Sequence, residues 1–116
     1  MSDYNNIDIF DFFKDTLNNC GAFLLDMSDE EIGYLLFEEF DGDCVSFLNE
    51  RNLNLLRQTG KITIEIVDMA LELVSKFRAL EHTEFWNVRS VRNNQKWHEI
   101  LELSDHIKSE LKVDVE

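Results

Sequence analysis

The chain has no proline, only four glycines and two cysteines in 116 residues, and basic residues are scarce in its first half. Each shortage excludes something. Without proline no position is barred from a helix interior. The glycines, at 21, 33, 42 and 60, are too scattered to build a phosphate-cradling loop. Cys20 and Cys44 have no metal-ligand spacing and read as packed thiols of a reducing compartment rather than as a disulfide. No apolar run approaches the roughly 20 residues that cross a bilayer. The opening MSDYNNIDIF has no basic segment ahead of an apolar one, so it does not read as a signal peptide and cytoplasmic residence is the expectation.

The shortage of bases is the strongest compositional fact. Lys and Arg number 11 against 24 Asp and Glu, for a net charge of −13. Residues 1–50 hold 13 of the acids with Lys14 as the sole base, whereas residues 51–116 hold 11 acids and 10 bases. Such a field repels nucleic acid and anionic membranes, and it speeds encounter with cationic surfaces. Solubility alone is the plainer explanation of acidity, but acidity gathered at one end of the chain points to a basic partner.

With 44% hydrophobic residues, the length suits one core and hence a single domain over residues 1–116. Helical periodicity dominates. Asp8 to Asn18 places Ile9, Phe12, Phe13 and Thr16 at helical spacing, with Asn19, Cys20 and Gly21 as its stop. "SDEE" at 28–31 is a capping box opening a helix to about Phe40, which buries Ile32, Leu35, Leu36 and Phe40 and turns Glu31, Tyr34 and Glu38 outward. Gly42 then reads as a turn and Asp43 as the N-cap of a further helix that buries Val45, Leu48, Leu55 and Leu56 and ends near Thr59 and Gly60. Thr63 caps the longest helix, from Ile64 to about Leu80, with Ile66, Ala70, Leu73, Val74 and Phe77 as its stripe, widened by Val67, Met69, Leu71 and Leu80. "EFWNVRSVRNN" is a short helix or connection. A last helix from about Gln95 to Leu111 aligns Trp97, Ile100, Ser104, Ile107 and Leu111. The expected fold is an all-α, single-domain bundle of five to six helices.

Several chemistries can be weighed at this level. "EEFDGDCVSFLNE", at 38–50, looks like a calcium loop, but in neither register do ligand oxygens fall at positions 1, 3, 5 and 12 around the required glycine. His98, Glu102 and His106 lie along one helix stripe; two turns separate the histidines, too far for one zinc ion, so a solvated face with a Glu102–His106 pair is the preferred reading. Neither cysteine has a local nucleophile signature, and all three histidines lie at 82 or beyond. Ser28 in "LLDMSDEEI" is placed somewhat like the phosphopantetheine serine of acyl carrier proteins, but Asp29 follows where those carriers have leucine, and an N-cap role suffices. Trp97 fits the core, and Trp86 reads as a junction plug in preference to an exposed anchor. No enzyme, cofactor or metal is expected.

Taken together, "DMSDEEIGYLLFEEFD", "FLNERNLNLLRQTGKI" and "WHEILELSDHIKSEL" give a chain that resembles the small acidic immunity proteins of polymorphic toxin systems, such as those of contact-dependent growth inhibition and Rhs systems. That resemblance extends from about Asp11 to Leu111 and lies in helix pattern and composition. It implies a cytoplasmic bacterial protein that binds the C-terminal domain of a cognate toxin, often a nuclease with a basic cleft, and covers its active site. The expected contacts are Glu38, Glu39, Asp41 and Asp43, supported by Glu30, Glu31 and Asp68, with no direct nucleic-acid or membrane contact and a monomer favoured. The alternative reading is a nucleic-acid mimic that inhibits a DNA- or RNA-binding protein; carboxylates along an extended surface would suit it, and the near-balanced second half of the chain counts against it.

Overall fold

A computed structural model describes the backbone of residues 6–115 and the side chains of residues 9–111. Most of the opening stretch read for a targeting signal lies outside the described side chains. Six helices follow one another, with no strand among the described residues. They are α1 (Asn6–Leu17), α2 (residues 29–47), α3 (Glu50–Gln58), α4 (Ile64–Ala79), α5 (Val88–Asn93) and α6 (Gln95–Val115), with a 3₁₀ turn at Ala22–Asp26. The all-α bundle expected from the sequence is present, and no described helix is long and apolar enough to cross a membrane.

Local signals set most of the boundaries. At the start of α2, Ser28 accepts from the Glu31 N–H at 3.2 Å while the Glu31 carboxylate accepts from the Ser28 N–H at 3.2 Å, completing the capping box. Thr63 caps α4 through the Ile66 N–H. Asn49 and Asn87 cap α3 and α5 in the same way, through the N–H groups of Asn52 and Ser90. Gly60 closes α3 in the left-handed region at φ 80°, and the Lys61 N–H reaches back to Leu56 O at 2.9 Å, the glycine-terminated helix end that satisfies a last-turn carbonyl.

α2 departs from expectation. Gly42 is not a turn and Asp43 is not a cap, because the helix runs unbroken from Asp29 through Phe47, with Phe40 and Asp41 both helical. Its centre, Gly33–Phe40, winds as a π-helix, and the Asp41 N–H donates to Leu36 O five residues back. The physical reason lies in the apolar spacing. Ile32, Leu36, Phe40, Cys44 and Leu48 are all buried, at a strict interval of four. In an α-helix a four-residue step overshoots a full turn by about 40°, so the stripe would slide off the core. A π-turn of about 4.4 residues undershoots by a similar angle. The π-segment thus holds a four-residue stripe against the core along the whole helix. Val45, expected inside, consequently faces out and is 68% exposed.

α4 and α6 form the most extensive helix pair. Ile66, Val67, Ala70, Leu73 and Phe77 of α4 are buried, as are Trp97, Ile100, Leu101, Ser104, Ile107 and Leu111 of α6. An aromatic cluster joins α2 to this pair. Phe40 meets Phe77 edge to face at 4.9 Å, Phe37 meets Trp86 at 4.9 Å, and Trp86 lies 5.8 Å from Trp97. Such ring contacts add about 0.5–1.5 kcal/mol each beyond the area they bury. Trp86 is therefore the junction plug, and the Trp97 indole N–H is satisfied by Phe85 O at 2.7 Å.

Three basic side chains of the second half tie down the first. Arg78 of α4 pairs with Asp41 and also donates to the Asp41 carbonyl. Arg92 of α5 binds the Asp29 carboxylate at 2.9 Å and the carbonyls of Leu25 and Met27, which end the 3₁₀ turn. Lys108 of α6 donates to Cys20 O at 2.9 Å.

Candidate functional site

The four-residue repeat of α2 sorts its side chains into lines. Opposite the buried line stand Glu30, Tyr34, Glu38, Gly42 and Ser46, all exposed. One flank carries Glu31, Leu35, Glu39, Asp43 and Phe47 and leans toward α1, where Phe47 stacks on Phe12 at 4.8 Å. The other carries Gly33, Phe37, Asp41 and Val45 and leans toward α4, where Asp41 meets Arg78. The predicted contacts therefore divide. Glu30, Glu31, Glu38, Glu39 and Asp43 share the outer ridge and the α1 flank, together with the half-exposed ring of Tyr34. Asp41, not Asp43, has the structural task, and it is that of an anchor of α4 on α2 instead of the N-cap the sequence suggested for Asp43. Asp68 is exposed on α4, ten residues before Arg78, which places it about 15 Å along that helix from the Asp41 junction.

Electrostatics on the ridge are those of uncompensated like charge. Among the described residues, none of Glu30, Glu31, Glu38, Glu39 and Asp43 forms an ion pair. The neighbouring Glu39 carboxylate, then slight desolvation and the charge of Glu38, raise the Tyr34 phenol above its usual range. Partial burial, then the charges of Glu39 and of Asp15 on α1, push the Asp43 carboxyl up as well. Asn19, at the end of α1, reaches Asp43 at 3.5 Å, a marginal hydrogen bond that neutralises no charge. Asp15, a member of this acidic group, was not among the residues singled out by sequence, since only the packing of α1 beside α2 brings it there.

Catalytic groups do not converge on this ridge. Cys20 and Cys44 are buried free thiols, each raised by burial. His98 bonds Arg92 O at 2.9 Å, and His106 lies 3.9 Å from Glu110, so the expected Glu102–His106 pair is replaced by one a turn further on. Among the described residues no three His, Cys, Asp or Glu side chains group as metal ligands. What the ridge can do is attract and hold cations on a protein surface. The chain has no significant match among protein families, curated proteins or solved structures.

Proposed function

We propose that this chain is an immunity-type inhibitor that binds a cationic toxin domain, a nuclease in the first instance, through the exposed ridge and α1 flank of α2. The observation that carries this reading is the unneutralised group Glu30, Glu31, Glu38, Glu39 and Asp43 around an exposed Tyr34. Bases are present in the fold, yet Arg78, Arg92 and Lys108 are turned inward to hold the first half of the chain. The acidity of the ridge thus stays available to a partner. A nuclease gathers cationic side chains to bind phosphates, and an acidic, rigid helix offers the complementary potential without any catalytic group of its own. A non-enzymatic, stoichiometric mode of action follows from this reading.

The test is co-expression with the C-terminal domain of the protein encoded immediately upstream. Growth arrest by that domain, relieved only when this chain is present and accompanied by a co-purified complex, supports immunity. Toxicity that persists with this chain present, or a domain that is harmless alone, removes the reading. Glu38→Lys combined with Glu39→Lys should slow association about tenfold or more at low salt and lose much of that effect as salt is raised.

A further inference from the structure

Cys20 and Cys44 take no part in the acidic ridge, and both are enclosed, at 0% and 2% exposure. Cys20 lies in the turn after α1, and Cys44 belongs to the buried line of α2. The residues that precede them meet, since Asn19 Nδ2 lies 3.5 Å from the Asp43 carboxylate. The seam continues along both helices to the stacked pair of Phe12 and Phe47. Each cysteine is also held in place. The Ser104 hydroxyl and the Lys108 ammonium donate to Cys20 O at 2.7 and 2.9 Å, and Arg78 grips α2 at Asp41. Burial chiefly raises the Cys44 thiol, Arg78 opposes the rise, and the charge of a Cys20 thiolate adds to it, so the two sulfurs lie within electrostatic reach of each other.

We infer that Cys20 and Cys44 form a disulfide site whose state is set as the chain folds. A chain that folds in the presence of a low-molecular-weight disulfide links the two; a chain that folds without one keeps both thiols. In the unfolded chain the thiols are open to water and titrate normally, so one thiolate attacks a sulfur of glutathione disulfide and expels a glutathione thiolate. The second cysteine thiolate then attacks the protein sulfur of that mixed disulfide and expels the second glutathione. The two protons pass to the departing thiolates, and two electrons pass from the protein to the reagent. Folding along the Asn19–Asp43 seam brings the second thiol to the first, and burial then stops exchange in either direction. The bond closes residues 20–44 into one loop, which holds the 3₁₀ turn, the Ser28 capping box and the π-wound centre of α2. Closing that loop narrows the unfolded ensemble. It also fastens the acidic flank of α2 to the end of α1.

The experiment unfolds the full chain in urea and refolds it by dilution into mixed reduced and oxidised glutathione, with refolding in dithiothreitol as the comparison. Intact mass after alkylation and a non-reducing digest read the product. The expected product is a monomer lighter by two hydrogens, with Cys20 joined to Cys44 and a melting temperature about 10 °C above that of the reduced chain. The reduced chain, already folded when it meets the same buffer, should oxidise at least about tenfold more slowly. Cys20→Ala and Cys44→Ala should each remove the cross-link, and the wild-type result stands whether or not those variants fold. Two free thiols after refolding, glutathione adducts that never resolve, linkage between chains, or a cross-linked chain that melts below the reduced one would each overturn the site. Equally fast oxidation of the folded chain would overturn the claim that folding sets its state.

Discussion

Arg78 grips Asp41 twice, through an ion pair with the carboxylate and a 3.1 Å hydrogen bond to the main-chain carbonyl. The pair locks α4 to α2 at the residue that directly follows the π-segment, and Glu81 adds a second carboxylate 3.3 Å from the same guanidinium. Both side chains remain about one-third exposed, so screening limits the worth of the charge. Arg78→Ala should cost about 1 kcal/mol in urea unfolding, and Asp41→Asn less, because the carbonyl contact survives it. A double-mutant cycle should return a coupling of the same sign. Zero coupling would mean that the side-chain pair does not contribute. A consequence for mapping is that reversing Asp41 perturbs folding and is a poor probe of binding.

Gly21 is held where α6 crosses the turn after α1. A Cβ there would press on the Asp105 carboxylate and lie 2.9 Å from Lys108 Nζ. Asp105 accepts from the Ala22 N–H at 3.0 Å, and Lys108 donates to Cys20 O at 2.9 Å, so neither neighbour moves without straining a bond. Gly21→Ala should therefore destabilise by about 1–3 kcal/mol, as overpacking does. Gly42→Ala, with open space around it, should stabilise by about 0.5–1 kcal/mol. Opposite signs for the same substitution are the check, read from denaturant midpoints at constant m-value.

The two thiols give a probe of opening. Burial is the main cause that pushes Cys20 up to about 12, against a smaller opposing effect of its Ser104 hydrogen bond, and burial likewise raises Cys44. At pH 8 a group with that pKa is a thiolate in only about one molecule in ten thousand, and both sulfurs are also covered. A disulfide-exchange reagent should modify neither residue in buffer, and both should react in parallel with unfolding as urea is added. Rapid reaction of either thiol without denaturant would show that the core around the α1 turn opens locally.

Much of the fold was legible because it is specified locally. The Ser28 capping box, the Thr63 cap and the stripes of α4 and α6 depend on residues three or four apart, which a sequence displays directly. The misreading at Gly42 and Asp43 has a clear cause. Glycine and aspartate after a hydrophobic helix are the usual signs of a stop and a restart, and they outweighed a signal already present, the interval of four from Ile32 to Leu48 that only a partly π-wound helix can bury. The candidate site was half legible. Glu30, Glu31, Glu38, Glu39 and Asp43 are near in sequence and stay near in space, whereas the removal of Asp41 by Arg78, 37 residues away, and the arrival of Asp15 depend on helix packing that no local pattern encodes.

Asp43 links the acidity of the site to pH. Its carboxyl is raised in the folded chain by partial burial and then by the charges of Glu39 and Asp15. A carboxyl raised on folding binds its proton more tightly in the native state, so its stabilising contribution is complete below the unfolded pKa, about 3.9, and is lost as pH rises through the folded value. At neutral pH the ionised Asp43 therefore opposes folding, and Asp43→Asn should stabilise the free chain at pH 7, with the gain shrinking as acid protonates the wild type. Binding should reverse the sign. A cation placed beside Asp43 favours its ionised form and lowers its pKa, so complex formation at mildly acidic pH should release a proton and weaken as pH falls through the folded value. Titration calorimetry in two buffers of different ionisation enthalpy reads that proton directly. Asp43→Asn should abolish its release; an unchanged proton count would place Asp43 outside the contact and leave Glu38 and Glu39 as the carboxylates that meet the partner.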